Sequence, residues 1–167
     1  MTLTEQVAKN IIKKLLKGLK VKIFTTDDFP FLPEVVENGK TLTENAIKKA
    51  KTIAKKIHKI ALADDSGLEV FALNGAPGVY SARFAGKNCT YADNNNKLLK
   101  LMKNVSANKR NAKFVCVMAL AFPNGKVITA EGICAGKIAD SSKGKYGFGY
   151  DPVFIPKGYN KPFAHLG

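Results

Sequence analysis

The segment from Thr41 to Asp65 constrains this chain most. Thr41 stands where a helix needs an N-cap, and Glu44 follows at capping-box spacing. Ala46, Ile47, Ala50, Ile53, Ala54 and Ile57 then recur along one side of a helix. A neighbouring row carries Glu44, Lys48, Lys51 and Lys55 at intervals of three or four, so one carboxylate and several ammonium groups stand roughly in line. The run I-A-L-A at 60–63 reads as a buried strand delivering Asp64 and Asp65 to its C-terminal end, where ligand groups of open α/β sheets collect over a rigid base. Helix and strand in this order point to an α/β chain.

The remaining periods agree with that class. Val7, Ile11, Ile12, Leu15, Leu16 and Leu19 predict a first helix over 5–19, with Gly18 near its end. V-K-I-F-T at 21–25 alternates like a short strand, and D-D-F-P-F-L-P-E is a loop. Leu68, Val70, Ala72 and Leu73 suggest a short element before the turn-rich N-G-A-P-G-V-Y, and Leu98, Leu99 and Met102 suggest a helix over 91–103. Residues 113–122 and 127–134 read as adjacent strands joined at Pro123-Asn124-Gly125, a strong hairpin signal. The glycine cluster at 144–149 lets backbone approach a flat or charged ligand closely. No repeat or long linker divides the 167 residues, so a single domain is expected, of a size that supports a core without disulfides.

A net charge of +14 invites a nucleic-acid reading. Against it, Arg83 and Arg110 are the only arginines among 27 basic residues, and arginine is the usual bidentate partner of bases and phosphates. Many lysines fall on solvent-facing helix positions, so a solvated surface is the first reading and steering of a small polyanion the second. Cys89, Cys116 and Cys134 fit neither a disulfide framework nor a metal knuckle, and Cys116 in F-V-C-V-M-A-L-A-F reads as a small buried thiol. The N-terminus lacks a signal-peptide pattern, and no run approaches the roughly 18 apolar residues of a membrane span. A reducing, cytoplasmic setting is expected, with no membrane partner.

The chemistry rests on carboxylates. Magnesium takes hard oxygen ligands, often one or two from protein and the rest from water and phosphate, so Glu44 with Asp64 or Asp65 suffices for a site. Adjacent residues on extended backbone point oppositely, so both aspartates need not be ligands. The alternative for D-D-S-G is structural: an Asx-type turn completed by Ser66 and Gly67. His58 and His165 have no metal-ligand spacing, and neither a P-loop nor a dinucleotide fingerprint is present.

Three strings together are more specific: T-L-T-E-N-A-I-K-K-A, A-D-D-S-G-L-E-V-F-A-L-N-G-A-P-G-V-Y-S-A-R-F-A-G, and G-F-G-Y-D-P-V-F-I-P. In order and spacing they resemble the inosine/xanthosine triphosphate pyrophosphatase family, over residues 8–166 and most closely over 39–86. The resemblance implies a mixed central sheet flanked by helices in an elongated α/β fold, with two lobes around an active-site cleft. It also implies a homodimer, Mg²⁺, and hydrolysis of ITP, dITP or XTP to the nucleoside monophosphate and pyrophosphate.

Residue by residue, Glu44 and Asp65 match the family's metal-binding acids, with Asp65 or Asp64 orienting water. Asn10, Lys13, Lys55 and Ser66 fall at phosphate-binding positions. Phe148, Gly149, Tyr150 and Asp151 fall in the turn that stacks and reads the purine, although Tyr150 serves equally as core. Ala8 replaces a hydroxyl residue of the family's N-terminal loop. The family pattern continues past F-A-H-L-G into a Ser-His-Arg segment and a final helix, so the expectation is a domain lacking that segment. Relaxed nucleotide choice or an impaired nucleotide-binding homologue are the alternatives.

Overall fold

The computed structural model describes residues 3–166, and their side chains from residue 9 onward, so Val7 and Ala8 lie outside the described side chains. The chain forms two units, 1–34 and 35–167. In the first, helix α1 spans Leu3–Leu15. A 3₁₀ turn at Thr26–Asp28 is closed by Asp28, whose carboxylate accepts from the Thr25 backbone N–H at 2.7 Å. The V-K-I-F-T segment is irregular rather than a strand. No described partner strand reaches it, and alternation alone cannot satisfy backbone groups.

The second unit holds α2 (Leu42–Ile57), β1 (Ala61–Val70), α3 (Tyr91–Leu101), β2 (Asn111–Ala121), β3 (Val127–Ile138) and β4 (Phe154–Pro156). The sheet order is β1-β2-β3-β4, and each ladder is antiparallel. The α/β class stands, and the hairpin at Pro123-Asn124-Gly125 joins β2 to β3 as expected. Two further readings are corrected. β1 runs straight through D-D-S-G, because all ten residues pair with β2, from Ala61 opposite Ala121 to Val70 opposite Ala112. The ladder meets the backbone needs that an Asx turn would have met, so the aspartates sit in mid-strand. Cys116 is only partly buried, because alternation turns Val115 and Val117 toward α2 and Cys116 away.

β1 changes its buried face along its length. Ala61, Ala63 and Asp65 turn toward α2, while Leu68 and Val70 turn the other way. The first half, with Val117, Ala119 and Ala121 of β2, packs on α2, whose Ala46, Ala50 and Ala54 are almost fully buried. Ile47 and Ile53 flank that alanine stripe and remain partly exposed. The second half meets Leu98 of α3 and Met102 at its C-terminal cap, together with Tyr150, Val153 and Phe154. Arg110 ties this cluster's rim, donating to the carbonyls of Met102, Ile138 and Ala139 at 2.7, 2.9 and 2.6 Å.

Gly67 occupies the crossover between the two faces. A Cβ there would run into the Gly78 carbonyl oxygen and lie 3.2 Å from Ser81 Oγ, so only glycine admits the loop that crosses β1. Ser81 fixes that loop by accepting from the Leu68 N–H at 2.9 Å and donating to the Gly78 carbonyl at 2.6 Å. Gly67→Ala is therefore expected to cost about 1–3 kcal/mol in urea unfolding. Gly132→Ala on β3, where the new Cβ meets only the Cys116 carbonyl at 4.0 Å, is expected to be near neutral.

Candidate functional site

Helix α2 is started as its sequence predicts at the cap. Thr41 Oγ1 accepts from the Glu44 N–H at 3.1 Å. The reciprocal bond is shifted by one residue: Glu44 Oε2 accepts from the Lys40 N–H at 2.7 Å. Glu44 is thereby held at the helix entrance with its carboxylate in solvent. The next residue, Asn45, is 1% exposed and works in both directions, accepting from the Gly39 N–H at 2.7 Å and donating to Asp65 Oδ2 at 3.0 Å.

Among the described residues Asp65 is the only acidic one whose side chain is buried, at 8% exposure. Its second oxygen, Oδ1, accepts from Lys49 Nζ at 3.1 Å, and Lys49 also pairs with Glu37 at 3.2 Å. Burial works against the Lys49 charge, but the Asp65 and Glu37 carboxylates outweigh it, and the lysine's pKa is raised. A buried carboxylate needs such partners, and one turn of helix supplies both, because Asn45 and Lys49 are four residues apart.

The segment before α2 is strapped along it. Lys48 Nζ donates to the Val36 carbonyl at 2.8 Å and to Asn38 Oδ1 at 2.7 Å. Arg83 donates to the Glu37 carbonyl at 3.3 Å while its guanidinium lies 5.1 Å from the Tyr80 ring centre.

Asp64 and Ser66 do not join this cradle. They lie on the opposite face of β1, exposed, with Ser66 Oγ donating to Asp64 Oδ2 at 3.3 Å. Lys55 is exposed near the C-terminal end of α2. Asn10 and Lys13 belong to the first unit, on the last two turns of α1, both exposed.

The aromatic turn is anchored from below. Phe148 is 54% exposed, and its N–H donates to Asp151 Oδ2 at 2.9 Å. Burial raises the Asp151 pKa, with that N–H pulling the other way. Gly147 has φ +81°, and a side chain there would strike the Asp151 carboxylate. Tyr150 is core: it is 4% exposed, its hydroxyl donates to the Ser81 carbonyl at 2.9 Å, and burial pushes its pKa up. Gly149 presents its carbonyl to Asn95 Nδ2 at 2.9 Å.

Asn45, Lys49 and Glu37 are the residues that sequence reasoning missed. The row chosen there, Glu44-Lys48-Lys51-Lys55, lies one residue away from the row that faces β1. The available signal was the burial phase of the alanines: positions 45 and 49 immediately precede Ala46 and Ala50.

Glu44 and Asp65 offer only oxygen donors. Asn45 and Lys49 each take one direction at an Asp65 oxygen, leaving further lone pairs. Among the described residues no three His, Cys, Asp or Glu side chains form a metal cluster. The donor set fits a hard cation that keeps most of its shell as water or phosphate, and it does not fit a thiolate or imidazole metal.

A model of the Ham1 family matches residues 4–167. The chain is 50% identical over 155 residues to a dITP/XTP pyrophosphatase of Desulforamulus reducens, covering 93% of this chain and 77% of the relative. It is 47% identical to the enzyme of that name from Elusimicrobium minutum, covering 97% and 84%. Among solved structures, a HAM1 protein from Coxiella burnetii superposes with a TM-score of 0.89 at 39% identity, covering 100% of this chain and 84% of that one. The Staphylococcus aureus Ham1 protein gives 0.87 at 40% identity, covering 97% and 82%.

The Asn45–Asp65–Lys49 cradle makes a stability prediction. Lys49→Met strips a buried carboxylate of its charged partner and is expected to cost about 2–3 kcal/mol in urea unfolding at pH 7. Lys49→Met with Asp65→Leu is expected to cost about 1–2 kcal/mol less than the two single changes summed. The raised Lys49 pKa sets the pH dependence: its contribution is complete below the ordinary value of 10.5 and is lost as pH rises through the raised one. The gap between wild type and Lys49→Met should therefore hold from pH 7 to 9 and narrow only above about 10.5.

Proposed function

Because the chain belongs to the Ham1 family, we propose that it hydrolyses non-canonical purine nucleoside triphosphates (ITP, dITP and XTP) to the nucleoside monophosphate and pyrophosphate. The observation that carries this reading is the Asp65 carboxylate, buried beneath α2 and fixed at both oxygens, with the exposed Glu44 carboxylate beside its Asn45 anchor. The relatives named dITP/XTP pyrophosphatase supply the substrate class.

Cleavage between the α and β phosphates requires a water aligned with the α-phosphorus and an accepting group for its proton. Asp65 is assigned that role in preference to Asp64. Its orientation is set by two hydrogen bonds before any substrate arrives, whereas Asp64 is exposed on the other face of β1. Glu44 and Asp65 are the residues that would hold magnesium, which when bound offsets phosphate charge. The family resemblance alone assigns Asn10, Lys13 and Lys55 to the phosphates, where lysine's compact charge follows a shifting anion; Ser66 shares the Asp64 face of β1 and is left out of the cradle. Phe148 is assigned to stacking on the purine, with Gly149 and Asp151 at its edge, where a 6-oxo group must be told from a 6-amino one. Tyr150 serves that turn from the core. The reading includes a homodimer and a cytoplasmic setting.

The test is release of monophosphate and pyrophosphate from ITP, XTP and dITP beside ATP and GTP, with magnesium and with chelator. Turnover of the 6-oxo purines is expected to exceed that of ATP. Asp65→Asn and Glu44→Gln are each expected to lower kcat/KM about 100-fold or more while urea unfolding confirms a folded protein. Release of orthophosphate in place of pyrophosphate would overturn the assigned bond cleavage.

A further inference from the structure

Helix α3 touches the aromatic turn at two points one helical turn apart. Tyr91, in the first turn of α3, is 54% exposed, and its ring centre lies 6.5 Å from that of Phe148, with the planes inclined at 47°. Four residues on, Asn95 is 5% exposed and donates through Nδ2 to the Gly149 carbonyl at 2.9 Å. Residues at this spacing share a helix face. The two contacts therefore present one side of α3 to the Phe148–Asp151 turn.

The geometry is over-determined for a simple surface turn. Gly149 has φ +57°, and its carbonyl is taken by a side chain 54 residues away in sequence. Asn95 Oδ1 is buried with no hydrogen-bond partner, a cost accepted at the residue that makes this one bond. The first turn of α3 is itself locked: Thr90 and Asp93 form a capping box, with Thr90 Oγ1 donating to Asp93 Oδ2 at 2.7 Å and the Asp93 N–H donating to Thr90 Oγ1 at 3.2 Å. Asn94 fastens the next position by accepting from the Ala85 N–H at 2.7 Å. Tyr91 thus projects from a rigid helix start toward a second exposed aromatic. At 47° the rings do not stack on each other, and each is about half exposed.

We propose that α3 forms the second half of the base platform, with Tyr91 a binding residue for the flat heteroaromatic base beside Phe148 and Asn95 a positioning residue that fixes the turn through the Gly149 carbonyl. This rests on the nucleotide reading above. Two adjacent aromatic faces suit a purine because stacking tolerates any base, while the fixed turn aims Asp151 and the backbone at its edge. Asn95 touches no ligand. Its effect passes through the turn.

Tyr91→Ala, Tyr91→Phe, Asn95→Leu and, as an exposed aromatic control outside the turn, Tyr159→Ala separate the outcomes. The readouts are kcat and KM for ITP, calorimetric binding of inosine monophosphate, and the urea midpoint. Tyr91→Ala is expected to raise KM and weaken monophosphate binding about 5- to 30-fold with kcat within about twofold, and Tyr91→Phe to restore both. Asn95→Leu is expected to raise KM about 3- to 10-fold with little change in midpoint, because the unpaired Oδ1 is removed together with the bond. Tyr159→Ala should match wild type. Should Asn95→Leu lower the midpoint, the exposed Tyr91 pair still decides. Wild-type KM and binding in Tyr91→Ala, or no rescue by Tyr91→Phe, would overturn the proposal while leaving the nucleotide reading intact. A folded wild-type protein that neither binds inosine monophosphate nor turns over ITP would remove both.

Discussion

Burying one carboxylate beneath α2 is the constraint around which the second unit is organised. An unpartnered charge in that position would cost several kcal/mol, so Asp65 can be there only if the helix above it brings donors. Asn45 and Lys49 do so, and their four-residue spacing fixes the rotation of α2 about its own axis. That rotation in turn puts Ala46, Ala50 and Ala54 against the sheet, where small side chains allow close packing. It also leaves Glu44 facing solvent at the helix entrance. The strap at 36–40 is a consequence as well, since Lys48, Lys49, Glu44 and Asn45 each reach a group in it.

The two clusters of the sheet meet at the Gly67–Leu68 step. There β1 changes its buried face, the loop at Gly78 crosses without room for a side chain, and Ser81 locks the crossing. The same serine's carbonyl receives the Tyr150 hydroxyl, so the aromatic turn is bonded to the loop that crosses β1 two residues past Asp65. A strand pinned on both faces is a stiff connection. It keeps the Asp65 carboxylate and the Phe148–Asp151 turn in a fixed relation.

Much of this was legible in the sequence, and the failures share a cause. The capped helix and the Asn-Gly hairpin are local signals, set by residues within four or five positions, and both stand at the predicted places. D-D-S-G as a turn and V-K-I-F-T as a strand depend on pairing with remote segments. β2 turned the former into strand, while no described strand pairs with the latter. The row Glu44-Lys48-Lys51-Lys55 leaves out Lys49 because helical spacing admits two adjacent rows. Only the position of Asp65 under the helix distinguishes Lys49 from Lys48. The alanine phase puts Asn45 near the buried face, but its role emerges only with its two partners, the Gly39 N–H and Asp65.

The paired aspartates illustrate how strand geometry divides chemistry between identical side chains. Asp64 and Asp65 have the same functional group and adjacent positions, yet period-two alternation gives one of them a lysine, an amide and shelter from water, and gives the other a serine and solvent. A one-residue slip of β1 against β2 would exchange them and simultaneously turn Leu62 and Leu68 toward α2. Ala61, Ala119 and Ala121 leave no volume for those leucines in the alanine-lined seam, so the packing that fixes the register also determines which aspartate is held beneath α2.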